Sequence, residues 1–154
     1  MPLIIFLIFK LERFDFKLKQ QFIAPKKVYC IDSGLMNSIG FKFSENKGRL
    51  IENLVAIELQ RRKIFDTTEI YFWKDTGSKE VDFIIKKDNK IIELLQVTYA
   101  NSALEIKDRE IESLQKASKE LNCFNWKIIT WNYEAEKDNI KYIPLWKWLL
   151  SDDK

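Results

Sequence analysis

The chain has no histidine among its 154 residues. That absence removes Ser-His-Asp and Cys-His nucleophile systems, histidine general bases and His-bearing zinc sites together. Any metal site must therefore be built from oxygens, which favours Mg²⁺, Mn²⁺ or Ca²⁺. Cysteine is scarce: Cys30 and Cys123 lie far apart, which fits reduced, buried thiols of a cytoplasmic protein better than a disulfide. Excess charge is missing too, since 26 basic and 23 acidic residues leave +3, too little to argue for nucleic acid. No G-x-x-x-x-G-K-[ST] loop occurs, so ATP hydrolysis by this chain is not expected. The apolar opening Met1–Phe9 is too short to span a bilayer and is followed by no small-residue cleavage site. It reads as a buried strand or helix end, with no membrane partner. Repeats and low-complexity segments are absent.

What is present suits one globular domain, at 46% apolar residues with five tryptophans. The clearest local signal is E-V-D-F-I-I-K-K-D-N-K-I-I-E-L-L-Q-V-T-Y at 80–99, two β-prone runs around a polar cluster. With a three-residue loop Asp88-Asn89-Lys90, paired positions sum to 178, and Asp82 lies opposite Gln96, with Glu80 opposite Thr98. Alternation then puts Glu80, Asp82, Ile84, Leu94, Gln96 and Thr98 on one face, and Val81, Phe83, Ile85, Glu93, Leu95 and Val97 on the other. A loop one residue different in length would set Leu95 opposite Asp82 instead.

Other segments read as follows. Phe14, Phe16 and Leu18 alternate with charges as an extended or strand pattern, Lys27–Asp32 is a short strand, and Asp32-Ser33-Gly34 is a turn. Residues 48–63 form a helix with an apolar arc of Leu50, Ile51, Leu54, Val55, Ile57 and Leu59. Glu58 falls inside that arc and Glu52 on its edge, where the plain reading of each is a carboxylate paired with Arg or Lys. Arg61-Arg62-Lys63 reads as a solvated helix end. Glu69–Lys74 is a strand, residues 104–121 a helix, 127–131 a buried strand, 140–144 extended and 145–150 a short amphipathic helix. This order implies a mixed α/β sheet flanked by helices.

A carboxylate and an amide oxygen on adjacent strands, with the Val97 carbonyl and a helix glutamate nearby, would supply oxygens to a divalent ion. Such an ion binds phosphodiester oxygens, acidifies a bound water and stabilises the leaving oxygen. A lone Asp82–Gln96 pair is more commonly structural, and the ordered set of Glu52, Asp82 and Gln96 is what points to this chemistry.

The segments K-V-Y-C-I-D-S-G-L at 27–35, G-R-L-I-E-N-L-V-A-I-E-L at 48–59, Y-F-W-K-D-T-G-S-K-E-V-D-F-I-I at 71–85 and L-L-Q-V-T-Y at 94–99 carry a family resemblance, as does the ending I-P-L-W-K-W-L-L. Together they resemble the PD-(D/E)xK, or restriction-endonuclease-like, domain found at the C-terminus of archaeal and bacterial AAA-type ATPases. The resemblance implies an α/β fold, with residues 1–24 as the remnant of a winged-helix-like segment and 25–154 as the nuclease-like domain. It implies Glu52, Asp82, Gln96 and Thr98 as catalytic positions, with Asp82, Gln96 and Glu52 holding Mg²⁺ or Mn²⁺. DNA is the implied partner, with an ATPase acting in trans and a homo-oligomer as further expectations. Two departures matter. Thr98 stands at the lysine position of the motif, and a neutral hydroxyl does not replace an ammonium that orients water and offsets phosphate charge. Gln96 in place of an acid removes one negative charge from the metal shell. Lys79, Lys74 and Lys107 are the candidates for a migrated lysine, with Lys79 disfavoured because a regular strand points it away from Asp82. The chain then reads as a truncated or isolated domain whose hydrolysis is weak or absent. Alternatively it is an inactive domain used for protein contact, or for self-association through Trp146 and Trp148.

Overall fold

A computed structural model describes residues 7–32, 34, 47–63 and 67–151. Most of the apolar opening, and Ser33 of the turn, lie outside the described residues. Strand β1 (Ile8–Leu11) leads to a short helix α1 (Leu18–Ile23) and strand β2 (Lys27–Cys30). Helix α2 (Lys47–Lys63) follows, then β3 (Glu69–Lys74), β4 (Glu80–Lys87) and β5 (Lys90–Val97). Helix α3 (Asp108–Leu121), β6 (Trp126–Thr130), β7 (Ala135–Lys137), β8 (Ile140–Pro144) and α4 (Leu145–Leu150) complete the described chain.

The main sheet has six strands in the order β3-β4-β5-β6-β8-β7, and β1 pairs with β2 in a separate antiparallel ribbon. β5, β6 and β8 run parallel, while the other pairings are antiparallel. The α/β class with a mixed sheet between helices is thus the architecture observed. Both faces are covered. On one, Ile51, Val55 and Leu59 of α2 pack with Leu11, Tyr29, Phe83, Leu95, Ile129 and Trp148. On the other, Leu114, Ala117 and Leu121 of α3 pack with Trp73, Val81, Ile84, Leu94 and Ile128. Leu11 ties β1 into the first of these cores.

The β4–β5 hairpin has the expected register for a different reason. Phe83↔Leu95, Ile84↔Leu94 and Ile85↔Glu93 are paired, but the turn is the two-residue Asp88-Asn89, with φ of 49° and 65°. Those positive angles are the type I′ geometry that Asp and Asn tolerate. A β-bulge between Ile85 and Lys86 absorbs the remaining residue. A second irregularity corrects the expected faces. Tyr71 pairs with Ile84 and Trp73 with Val81, so Asp82 and Phe83 together stand opposite Phe72. Val81 consequently joins Ile84 in the α3-side core, while Asp82 turns toward β2 and α2. A bulge that re-aims one side chain at a strand end is a recurrent device beside functional sites.

Other expectations are corrected as well. Residues 14–18 do not form a strand: Phe14 is half-buried, Phe16 is exposed, and Leu18 opens α1. The third helix starts at Asp108, because Ala103–Glu105 is a 3-10 turn whose Leu104 is 97% exposed. α3 ends on Asn122 in the left-handed region, a usual helix stop. Arg62 is no solvated end charge. Its guanidinium donates to Glu58 and to the Trp148 and Ser151 carbonyls, and lies over the Trp148 ring. Trp148 is therefore core, and of the two C-terminal tryptophans only Trp146 is exposed. Cys30 and Cys123 are free and buried.

Candidate functional site

β4 and β5 stop pairing as a regular ladder beyond Phe83↔Leu95, and the Asp82 carboxylate takes up the slack by accepting the Val97 backbone N–H at 3.0 Å. At this fork opens a cavity of about 580 Å³. Glu52 from α2, Asp82 from β4, Gln96 from β5 and Thr98 just after β5 all line it, so the four residues singled out from sequence surround one space. They do not all touch one another. Glu52 and Asp82 meet through a third residue, while the Thr98 hydroxyl donates to Glu110 of α3.

That third residue is Lys27. Its Nζ lies 3.0 Å from Glu52 Oε1, 2.9 Å from Asp82 Oδ1 and 2.6 Å from Glu80 Oε1. The sequence explains its position. Lys27 is two residues before buried Tyr29, so strand alternation aims both inward while Val28 points to solvent. The Tyr29 hydroxyl donates to Glu52 Oε1 at 2.7 Å, and the Phe72 ring lies under the ammonium. β2 itself is held to α2 by Asn53, whose side chain accepts the Cys30 N–H and donates to the Cys30 C=O, both at 2.9 Å.

The electrostatics follow from this packing. Burial works against the charge on Lys27, but Asp82, Glu52 and Glu80 together hold its pKa above the ordinary lysine range. Burial, then the Glu52 charge, push the Asp82 carboxyl above its ordinary value against the pull of Lys27. Burial, then Glu52, likewise raise the Tyr29 phenol. Glu80 is lowered despite burial, because Lys27 and Lys74 both bind it. Three carboxylates thus share two ammoniums. Among the migrated-lysine candidates, Lys74 reaches Glu80 at 3.1 Å, Lys79 pairs with Glu112 at 3.0 Å, and Lys107 lines the cavity at the start of α3.

Two buried acceptors, Gln96 Oε1 and Glu110 Oε2, have no hydrogen-bond partner among the described residues. Oxygens of the right kind for Mg²⁺ or Mn²⁺ are therefore present. Their spacing is another matter. The carboxylate oxygens stand 2.6–3.0 Å from Nζ, ammonium distances about 0.5–1 Å longer than Mg²⁺–oxygen bonds. Among the described residues no three acids are grouped closely enough to hold a metal ion. As the side chains stand, they fit an ammonium and not a divalent ion.

Exposed Arg49, Lys107 and Arg109 line the cavity together with exposed Glu105, while Asp82 is buried and Glu52 half-buried in the same lining. Tyr99, also lining, stacks on half-exposed Trp131 with centroids 5.4 Å apart, and Lys47 lies 4.9 Å over the Tyr99 ring. Lys27 and Glu110 escaped the sequence reading, which placed Glu80 on the strand face of Asp82 but gave it no role. The available signal for Lys27 was its phase with Tyr29.

No helix among the described residues is long and apolar enough to cross a membrane. An uncharacterized protein of Methanocaldococcus jannaschii is 40% identical over 95% of this chain, and an uncharacterized protein of Haemophilus influenzae is 30% identical over 94%. The chain spans about a third of the length of either relative, 34% in both cases. No solved structure matches it. Residues 47–148, which include α2 and every strand of the main sheet, match the domain of unknown function DUF4143, and the chain belongs to that family.

Proposed function

We propose that this chain is a cytoplasmic nucleic-acid-binding domain of restriction-endonuclease-like type, part of an ATPase-associated protein, with divalent-metal-dependent phosphodiester hydrolysis weak or absent. The observation that carries the reading is the cavity lining: the exposed cations Arg49, Lys107 and Arg109 against one exposed acid, Glu105, with Tyr99 of the Tyr99–Trp131 stack beside them. Exposed basic side chains suit phosphate oxygens, and an accessible aromatic ledge suits the face of a base. DNA is the proposed partner, with an ATPase in trans. Mg²⁺ or Mn²⁺ would reach Asp82, Gln96 and Glu52 only by displacing Lys27. Hydrolysis is proposed to be weak because Thr98 holds the motif's lysine position and its hydroxyl is committed to Glu110. Loss of one such electrostatic group costs about two to three powers of ten in rate.

The test is fluorescence anisotropy with labelled single- and double-stranded oligonucleotides at two salt concentrations. Wild type is expected to bind, and Arg49→Ala/Lys107→Ala/Arg109→Ala to bind at least about ten-fold more weakly with a shallower salt slope. Absence of wild-type binding at low salt would end the reading.

A second reading, a catalytically inactive domain for protein contact or self-association, is favoured by one observation. Phe16, Leu18, Phe22 and Ile23 are all exposed around α1, which buries no residue of its own.

A further inference from the structure

We propose that Lys27 is the resident cation of this pocket, its ammonium taking the place that a divalent ion would occupy among Glu52, Glu80 and Asp82, so that removing it unmasks a divalent-cation site. The inference goes beyond nucleic-acid binding and does not need it. An ammonium has three protons to donate, and here three carboxylates accept at 2.6–3.0 Å. Lys27 is therefore saturated by this cluster, and the cluster is organised on one point. Its side chain is 19% exposed, and it reaches the acids from a strand that Asn53 and the β1 pairing hold in place.

A second polar group of the cavity is left without a donor. Gln96 is 8% exposed, lines the same cavity, and leaves Oε1 buried without a partner among the described residues. One fixed ammonium already saturated by three carboxylates cannot also serve that amide oxygen. Gln96 is in phase with Leu94 on the α3 side of the sheet, so its amide borders the cavity beside the cluster that Lys27 fills and is not one of its three acceptors. Lys74, on Glu80 alone, sits at the edge of the group and does not reach Asp82 or Glu52 in the contacts described. The cation comes from within the chain, 25 and 55 residues away from Glu52 and Asp82. Thr98, at the position where the resemblance leads one to expect a lysine, brings no charge of its own.

Removal of the ammonium leaves three carboxylates around a space of its size. Mutual repulsion then makes any oxygen-seeking dication a favourable occupant, with contraction of the side chains from ammonium to metal–oxygen distances. The experiment is titration of Mn²⁺ alone into the full chain, followed by calorimetry and by the electron paramagnetic resonance signal of free Mn²⁺. It uses wild type, Asp82→Asn, Lys27→Gln, and Lys27→Gln/Asp82→Asn. Lys27→Gln is expected to gain one saturable site with a Kd on the order of 0.1–1 mM, the range of weak oxygen sites. Wild type is expected to bind at least about ten-fold more weakly, and Asp82→Asn to abolish the gained site. Wild type binding Mn²⁺ as tightly as Lys27→Gln, or a folded Lys27→Gln that gains nothing, would overturn the proposal. Should Lys27→Gln not fold, wild type and Asp82→Asn decide: saturable wild-type binding in that range that Asp82→Asn abolishes refutes it, and its absence supports it. Oligonucleotide binding enters none of these readouts, so failure of the nucleic-acid reading remains distinguishable.

Discussion

Glu110 is the third residue of α3, where a carboxylate can reach back to the open N–H groups of the first turn, and it accepts the Lys107 backbone N–H and the Thr98 hydroxyl. Its other oxygen is buried and unpartnered among the described residues. Burial, against those two hydrogen bonds, raises its pKa above the ordinary glutamate value of 4.5. The sign follows directly. With the folded pKa above the unfolded one, the native state holds the proton longer, so Glu110 lowers stability as pH rises from 4.5 through the raised value. Glu110→Gln keeps an acceptor for both donors and removes the charge. It is expected to raise the thermal midpoint at pH 7 by at most about 2–4 °C, or about 1 kcal/mol after allowance for partial solvent screening. The gain should vanish near pH 4. Calorimetry from pH 4 to 8 checks this, and a pH-independent difference would mean that packing, not charge, separates the two proteins. Glu58 shows the opposite balance, its carboxyl lowered chiefly by the Arg61 hydrogen bond and also by Arg62, as the plain reading of an acid in an apolar arc expects.

The elements stand or fall on a few cross-braces, and Asn53 is the clearest of them. It is buried on α2 and satisfies both backbone groups of Cys30, acting as a substitute strand for the free side of β2. Asn53→Leu has the size to fill the space but strands one N–H and one C=O. The expected cost is about 2–4 kcal/mol by urea denaturation, and a loss below about 1 kcal/mol would show that water replaces the amide. The brace also shows what could be read from sequence and what could not. Helix α2 and strands β3 to β6 announce themselves through apolar periodicity and β-branched runs, since burial of one or both faces writes itself into the residues. The β4–β5 register was legible because the Asp-Asn turn and the flanking bulge happen to preserve the same pairing sum. β7 was missed at three residues, though its turn repeats the signal: Lys-Asp-Asn at 137–139 copies 87–89, with Asp138 and Asn139 again at positive φ. The bulge at Asp82 was not legible, because its cause is pairing with Phe72 rather than any local pattern. Lys27 was hidden for the same reason. Only the fold brings it to partners far along the chain, and the residues around it carry no charge pattern to mark them.

At the scale of the whole molecule, the two faces of the sheet are well covered, and one group of exposed apolar side chains lies around α1. Helix α1 buries nothing: Leu18, Phe22 and Ile23, with Phe16 before them, are solvent-exposed, and Val28 of β2 is exposed as well. Several exposed apolar side chains on one short helix mark a contact surface. A net charge of only +3 gives little repulsion to keep copies apart. The isolated chain is therefore expected to self-associate as its concentration rises, seen as a concentration-dependent mass in sedimentation velocity. Phe22→Lys/Ile23→Lys should restore a monomer at every concentration. Because both side chains are exposed, the thermal midpoint should stay within about 2 °C of wild type, the range of surface substitutions. A wild-type chain that remains strictly monomeric would count against a contact role for this face. A double variant that melts much earlier would show that α1 is packed more firmly than its exposure indicates.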